Sequence, residues 1–316
     1  MVASLAAGNY LFAHTASMKT PEFDISVIIV TFNSGSTIRR CLTSLSRVLA
    51  CRSAQVCIID NASTDATPAI LQDADFLKQL TFAAVQVINN SVNVGYTKGI
   101  NQGLLCAKGQ FILMLNPDVI FAENPFERLI QEFEQNPDIG VVSPQFRFLD
   151  EKIQPSCRRF PRKIDVLYEF LGLAKIFSRS AVYNAWRMPD FDHQHIRDVD
   201  QPQGAFLLTT PRVLDKVGFL DESFPMFFSD VDWCRRVMAH EWRIRFIASV
   251  FVYHFRGASV KQKRARMIIS SHQSFVAYFR KYDKNWRNRC ATKLVHLLLL
   301  MATPLRLLPN LNQLSS

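Results

Sequence analysis

The sequence predicts an α/β fold: a mostly parallel, twisted β-sheet flanked by helices, with further helices towards the C-terminus. Three observations carry that reading. From Asp24 onward, short β-branched runs alternate with stretches of helical apolar spacing, the cadence of a sheet whose parallel strands are joined by helical crossovers. Three of the strand-like runs end abruptly in polar residues, which is where sheets of this kind bind ligands. No Pro-, Gly- or Ser-rich linker divides the chain, and no internal repeat or low-complexity tract is present, so one domain with an elaborated second half is the economical organisation.

Taken in order, residues 26–31, 55–60, 84–89 and 110–115 read as strands, and residues 37–49, 65–74, 97–107 and 125–135 as the helices between them. The polar strand ends are Thr31 to Asn33, Asp60 to Ser63 and Asn116 to Asp118. After Gly140 the pattern changes, and residues 150–200 form a basic, poorly periodic stretch. Residues 205–210 and 243–252 read as further strands, and residues 264–282 as an amphipathic helix. The expected division is a flexible extension over residues 1–23, a main domain over 24–283, and an apolar C-terminal helix over 284–316.

Nearly half of the 316 residues are hydrophobic and a fifth are charged, which excludes a disordered chain and supplies a sizeable core. The net charge of +10 suggests an anionic partner: a nucleic acid, a membrane surface or a phosphorylated substrate. Basic residues are not interleaved with aromatics in any recognisable module, so a nucleic acid is not expected. Seven scattered cysteines without a C-x-x-C pair suggest a reducing compartment, and the first 22 residues lack the basic and apolar regions of a secretory signal. Residues 294–308 are strongly apolar but carry His296, Pro304 and Arg306 and fall short of the roughly 20 residues that a spanning helix needs. Preceded by Lys284, Arg287, Arg289 and Lys293, this segment suits either the interface of an anionic membrane or a helix docked on the domain.

The most informative stretch is residues 221–234, where Asp230 and Asp232 follow an aromatic run that includes Phe224, Phe227 and Phe228. Desolvation by such neighbours raises a carboxylate's proton affinity and suits it to general-base work. An acidic first turn complementing a helix dipole is the plainer account of the same residues. Asp60 at a strand end can accept from a nucleobase or ribose, or serve as a turn and cap. Gly95, Gly99 and Gly103 are spaced four apart at a helix start, which fits neither the dinucleotide nor the P-loop fingerprint and is equally explained by close helix packing. Asp118 ends an apolar strand, and one carboxylate is enough to recruit a Mg²⁺ or Mn²⁺ ion whose shell is completed by phosphates. His254 follows a strand, with Arg256 and Lys261 nearby, a setting that suits a diphosphate.

Each motif alone has a bland explanation, but their order resembles a known family: the inverting family 2 glycosyltransferases of the GT-A fold, in particular their rhamnosyltransferase-like branch. The matching pieces are residues 27–33, 60–65, 93–96 with 101–103, 115–118, 204–206, 221–234 and 254–259. The resemblance implies a nucleotide-diphosphate sugar, deoxythymidine-diphosphate rhamnose being the first to try, lying across the strand ends. Thr31, Asn33, Asp60, Asn93, Gly95 and Asn116 then match donor-binding positions. Asp118 matches the last carboxylate of the metal-binding D-x-D motif and His254 a residue that assists the metal or diphosphate, so a divalent cation (Mg²⁺ or Mn²⁺) is implied. Asp230 matches the base that deprotonates the acceptor hydroxyl, with Gly204, Ala205, Ser229 and Asp232 on the acceptor side. Residues 154–161, with Arg158 and Arg159, also look like this branch and suit contact with phosphates.

The implied acceptor is a lipid-linked or polysaccharide glycan. The implied location is cytoplasmic, peripheral at the inner face of the plasma membrane. One departure stands out: the family usually has Glu-Asp where this chain has Ser229-Asp230. Loss of that glutamate motivates a second reading, a non-catalytic nucleotide-sugar or glycan-binding protein.

Overall fold

A computed structural model describes residues 20–255 and 264–307. Most of the expected N-terminal extension, and Arg256 and Lys261 beyond His254, lie outside the described residues. The first half alternates as expected: β1 (Phe23–Thr31), α1 (Ile38–Val48), β2 (Ala54–Asp60), α2 (Thr67–Gln72), α3 (Ala74–Lys78), β3 (Ala84–Asn89), α4 (Tyr96–Cys106) and β4 (Gly109–Leu115). The single helix expected over residues 65–74 is two, because Asp73 leaves the helical conformation and its carboxylate accepts from the Phe76 N–H, capping α3.

Alternation along β1 explains the layering. Ile25, Val27 and Ile29 face a core shared with α1, whose Ile38, Cys41, Leu42 and Leu45 recur at helical spacing and are fully buried. Ile28 and Val30 face the opposite layer, where α4 lies close to the sheet. A Cβ at Gly103 would stand 2.4 Å from an Ile28 methyl, and one at Gly99 would stand 3.0 Å from Val30. Close packing therefore accounts for those two glycines.

The second half comprises β5 (Val119–Ile120), α5 (Phe126–Gln135), β6 (Ile139–Arg147), β7 (Ile153–Gln154), β8 (Cys157–Arg158), α6 (Lys163–Phe170), α7 (Leu173–Ile176), β9 (Arg197–Asp198), β10 (Gln201–Pro202), β11 (Phe206–Thr209), α8 (Pro211–Val217), α9 (Ser229–Ala239), β12 (Arg243–His254), α10 (Arg264–Tyr282) and α11 (Trp286–Leu307). Among the described residues the main sheet runs β3-β2-β1-β4-β11-β6-β12-β5. Its first four strands are parallel, β11 runs antiparallel between β4 and β6, and β12 is parallel to β6.

Register does the positioning. Thr31 pairs opposite Asp60 and Ile29 opposite Leu115, so three polar strand ends emerge on one edge of the sheet. Because β11 runs the other way and Phe206 pairs with Leu115, the residues just before β11, Gly204 and Ala205, arrive at that same edge. The pairing of His254 with Val119 brings β12 to it as well. Helices α10 and α11 close the molecule over a smaller core of Val166, Phe224, Phe228, Val231, Tyr278 and Leu299. No helix among the described residues is long and apolar enough to cross a membrane.

Candidate active site

At the first strand end the polar residues knit to each other. The Thr31 hydroxyl donates to Asp60 Oδ1 at 2.8 Å, and the Ser63 hydroxyl and N–H donate to the same carboxylate at 2.6 and 3.0 Å. Asn33, held at φ 52°, accepts from the Thr64 N–H at 2.8 Å. This ordered turn ends at Gly35, whose N–H donates to Asp65. Asn61 extends it sideways, donating to the Gly95 carbonyl at 3.0 Å and accepting from Asn90, which in turn exchanges hydrogen bonds with Gln102.

Asn93 and Gly95 form the lip above α4. Asn93 Oδ1 accepts from the Gly95 N–H, and Gly95 sits at φ 90°, where a Cβ would stand 2.8 Å from the Pro225 carbonyl oxygen. Glycine is needed here for both reasons. The Thr97 N–H donates to that carbonyl at 3.2 Å and its hydroxyl to the Phe224 carbonyl, while Asn101 exchanges hydrogen bonds with the backbone of Leu220. The lip is thus tied to the segment that leads into α9.

Asp230 lies in the first turn of α9, just after Phe228, which adopts φ 70° as its ring packs against Phe275 and Tyr278. The Asp230 Oδ2 atom accepts from the Gly204 N–H at 3.0 Å and from Gln201 Nε2 at 3.2 Å, and Oδ1 accepts from the Val231 N–H at 2.9 Å. Desolvation nevertheless prevails over these hydrogen bonds and raises its proton affinity above the ordinary carboxylate value. Next to it, the Ala205 carbonyl accepts from the Asn116 N–H at 2.9 Å, and the Tyr96 hydroxyl donates to the Gly204 carbonyl at 3.2 Å. Burial, then the Asp230 and Asp118 carboxylates, raise the Tyr96 phenol's proton affinity, so it stays a donor.

Asp118 and His254 meet as the register requires, with Nε2 3.4 Å from Asp118 Oδ1. On its other side, His254 Nδ1 lies 2.7 Å from Gln154 Oε1. An amide oxygen only accepts, so with Gln154 Oε1 as its partner Nδ1 carries a hydrogen, and Nε2 is the ring atom that faces Asp118. Asp118 Oδ1 is itself buried and without a hydrogen-bond partner. A buried carboxylate oxygen without a hydrogen-bond partner, with an imidazole nitrogen 3.4 Å away, is a donor set that suits a cation. Among the described residues no group of three or more His, Cys, Asp or Glu is placed to hold a metal ion, so such an ion would take much of its shell from phosphate or water, as Mg²⁺ and Mn²⁺ commonly do.

The fold therefore gathers Asn116, Asp118, His254, Gly204, Ala205 and Asp230 at one place, with Thr31, Asn33 and Asp60 on adjoining strand ends. Asp232 is fully buried and engaged by Arg236 at 2.9 Å, Tyr282 at 2.8 Å and Lys281 at 2.6 Å, tying α9 to α10. Ser229 is 1% exposed and its hydroxyl has no hydrogen-bond partner. Gln201 carries no signal in the sequence, being a single polar side chain without a motif, while Tyr96 and Gln154 lie inside the matching pieces at 93–96 and 154–161 without being singled out there. Arg158 bonds to the Pro155 and Cys157 carbonyls and Arg159 pairs with Asp190.

The fold is that of the GT-A glycosyltransferases. A mannosyltransferase from Pyrobaculum calidifontis, solved with GDP-mannose and Mn²⁺, superposes with a TM-score of 0.54 at 16% identity over 90% of this chain and 72% of that one. TarS of S. aureus, solved with UDP, gives 0.51 at 15% identity over 93% and 75%. Residues 26–193 match the glycosyl transferase family 2 profile, and the chain belongs to that family. It is 25% identical to the N-acetylglucosaminyl-diphospho-decaprenol L-rhamnosyltransferase of Mycobacterium tuberculosis over 83% of this chain and 86% of that protein. A low-salt glycan biosynthesis hexosyltransferase of Haloferax volcanii is 23% identical over 67% and 61%. The chain is thus a family 2 glycosyltransferase.

Proposed function

We propose that the protein is an inverting transferase that moves a sugar, rhamnose first among candidates, from a nucleotide-diphosphate donor to a hydroxyl of a lipid-linked glycan. The reaction would take place at the inner face of a bacterial plasma membrane. The observation that carries the mechanism is Asp230: a desolvated carboxylate oriented by Gly204, Gln201 and Val231 beside the strand ends. The likeness to a rhamnosyltransferase of a lipid-diphosphate acceptor supports the choice of substrates.

In this reading the acceptor hydroxyl gives its proton to Asp230 as its oxygen bonds to the anomeric carbon, and the bond from that carbon to the nucleotide diphosphate breaks with inversion. The raised proton affinity of Asp230 favours this transfer. Asp118 and His254 would hold a divalent cation, which supplies charge neutralisation for the departing diphosphate. Gln154 fixes the His254 tautomer. Thr31, Asn33 and Asp60 shape the nucleoside end, and Asn93 and Gly95 the lip above it.

The test is a panel of nucleotide sugars with Mn²⁺ followed by mass spectrometry. Release of nucleotide diphosphate from one donor supports a working transferase. Saturable donor binding with no turnover, with or without acceptor, would return the non-catalytic binding protein that Ser229 suggests.

A further inference from the structure

Helix α11 has two apolar faces. Val295, Leu299 and Ala302 are buried at 4, 5 and 8% exposure, and the first two join the core that also seats Phe228 ahead of Asp230. The opposite face presents Trp286, Leu294, Leu297, Leu300 and Met301, each more than half exposed at 54–69%. A helix docked only for stability would carry polar residues there. A second apolar stretch follows α6, which packs against α11: residues 171–182 expose Leu171, Ile176, Phe177 and Val182 at 48–70%. Exposed apolar side chains in this number on one helix face mark a binding face.

Charge identifies the occupant. No acidic residue occurs after Asp283 or between Glu169 and Asp190, whereas these stretches contain Lys284, Arg287, Arg289 and Lys293, and Lys175 and Arg179, respectively. A second copy of this chain would bring like charges together on the same face. Anionic lipid headgroups would be matched by them, while the apolar side chains enter the acyl boundary as in an interfacial helix.

We infer that the outer face of α11, together with the exposed α6–α7 stretch, is a docking surface for an anionic lipid bilayer. Its contact with the core beneath Phe228 sets the acceptor end of the site at the membrane. That last clause rests on the lipid-linked reading of the acceptor; the lipid contact itself does not.

Flotation of the full chain with two vesicle compositions tests it: phosphatidylcholine alone, and phosphatidylcholine with about a third phosphatidylglycerol. The expected result is co-flotation with the anionic vesicles only, weakened by raising salt from about 0.1 to 0.5 M. Leu297→Glu with Leu300→Glu, on the exposed face, should lower vesicle partition about tenfold or more, with thermal unfolding and donor hydrolysis in solution unchanged. Should that pair unfold the protein, Arg287→Glu with Arg289→Glu replaces it, with a loss of similar size expected. Absence of flotation with anionic vesicles overturns the inference, as does equal flotation of the folded variant or a concentration-dependent dimer that the variant abolishes. Donor hydrolysis without vesicles reports separately on the transferase reading.

Discussion

Gly204 and Asp230 touch: the Gly204 N–H donates to Oδ2 of the carboxylate at 3.0 Å, and a Cβ on Gly204 would stand 3.0 Å from that same oxygen. Residue 204 therefore sets both the orientation of the carboxylate and the space it occupies. Gly204→Ala should displace Asp230 by a few tenths of an ångström and lower kcat about tenfold, with a stability cost of about 1 kcal/mol. Steady-state kinetics beside thermal unfolding would reveal it; unchanged kcat in the alanine variant would remove Gly204 as a positioning element.

Asp230→Asn keeps the size of the side chain and removes the base. Sugar transfer should fall by about 10² to 10⁴, while donor affinity, measured by calorimetry with Mn²⁺, stays within about twofold of wild type. Retained transfer in this variant would show that another group takes the proton.

The pH profile follows from the raised proton affinity of the same residue. Only the ionised carboxylate can accept a proton, so the acidic limb of kcat/KM should lie above the usual aspartate range near about 4. The stability sign is opposite. A carboxyl whose folded-state pKa is raised binds protons more readily in the native than in the unfolded chain, so stability declines as pH rises from the unfolded towards the folded value. Comparing wild type with Asp230→Asn across that window isolates this contribution from the other carboxylates.

Asp118→Ala and His254→Ala should each weaken Mn²⁺ binding about tenfold or more, read by electron paramagnetic resonance in the presence of a nucleoside diphosphate. Gln154→Leu should produce a smaller loss, since it frees the ring's tautomer without removing a ligand. Chelation by EDTA should depress donor binding in wild type and leave Asp118→Ala unaffected. Wild-type Mn²⁺ affinity in all three variants would refute the cation site.

Asp232→Ala should act on stability. It strands Arg236 and Lys281 beside a buried gap and costs about 3 kcal/mol, with the loosening of α9 against α10 visible in hydrogen exchange. An acceptor-binding role would instead raise the acceptor KM and leave unfolding unchanged.

The parallel half of the sheet was legible in the sequence because alternation and helical spacing are local patterns, and the chain's polar strand ends follow directly from where its apolar runs stop. The position of β11 was not: a four-residue apolar run has no mark of direction, and its antiparallel insertion is decided by pairing with β4 and β6. The break at Asp73 was also missed, since a capping carboxylate inside a helical stretch looks like any exposed polar residue. Among the candidate site residues, Asp118 and His254 are 136 positions apart, and only the order of motifs suggested their meeting. Asp232 came to the acceptor side only through the family resemblance, and its bonds to Tyr282 and Lys281 join elements too far apart in sequence for any local pattern to show.

The bonds from Thr97 and Asn101 to the backbone at Phe224, Pro225 and Leu220 make a bracket of the lip at residues 93–95 and the segment that leads into α9. A bracket fixes the gap between its arms: a displacement of residues 93–95 carries Pro225 with it, so in the proposed reading the donor and acceptor ends of the site are gauged against each other. A change in the width of that gap is then absorbed less easily by residues 220–225 than by residues 163–187, which bond neither to the lip nor to Asp230.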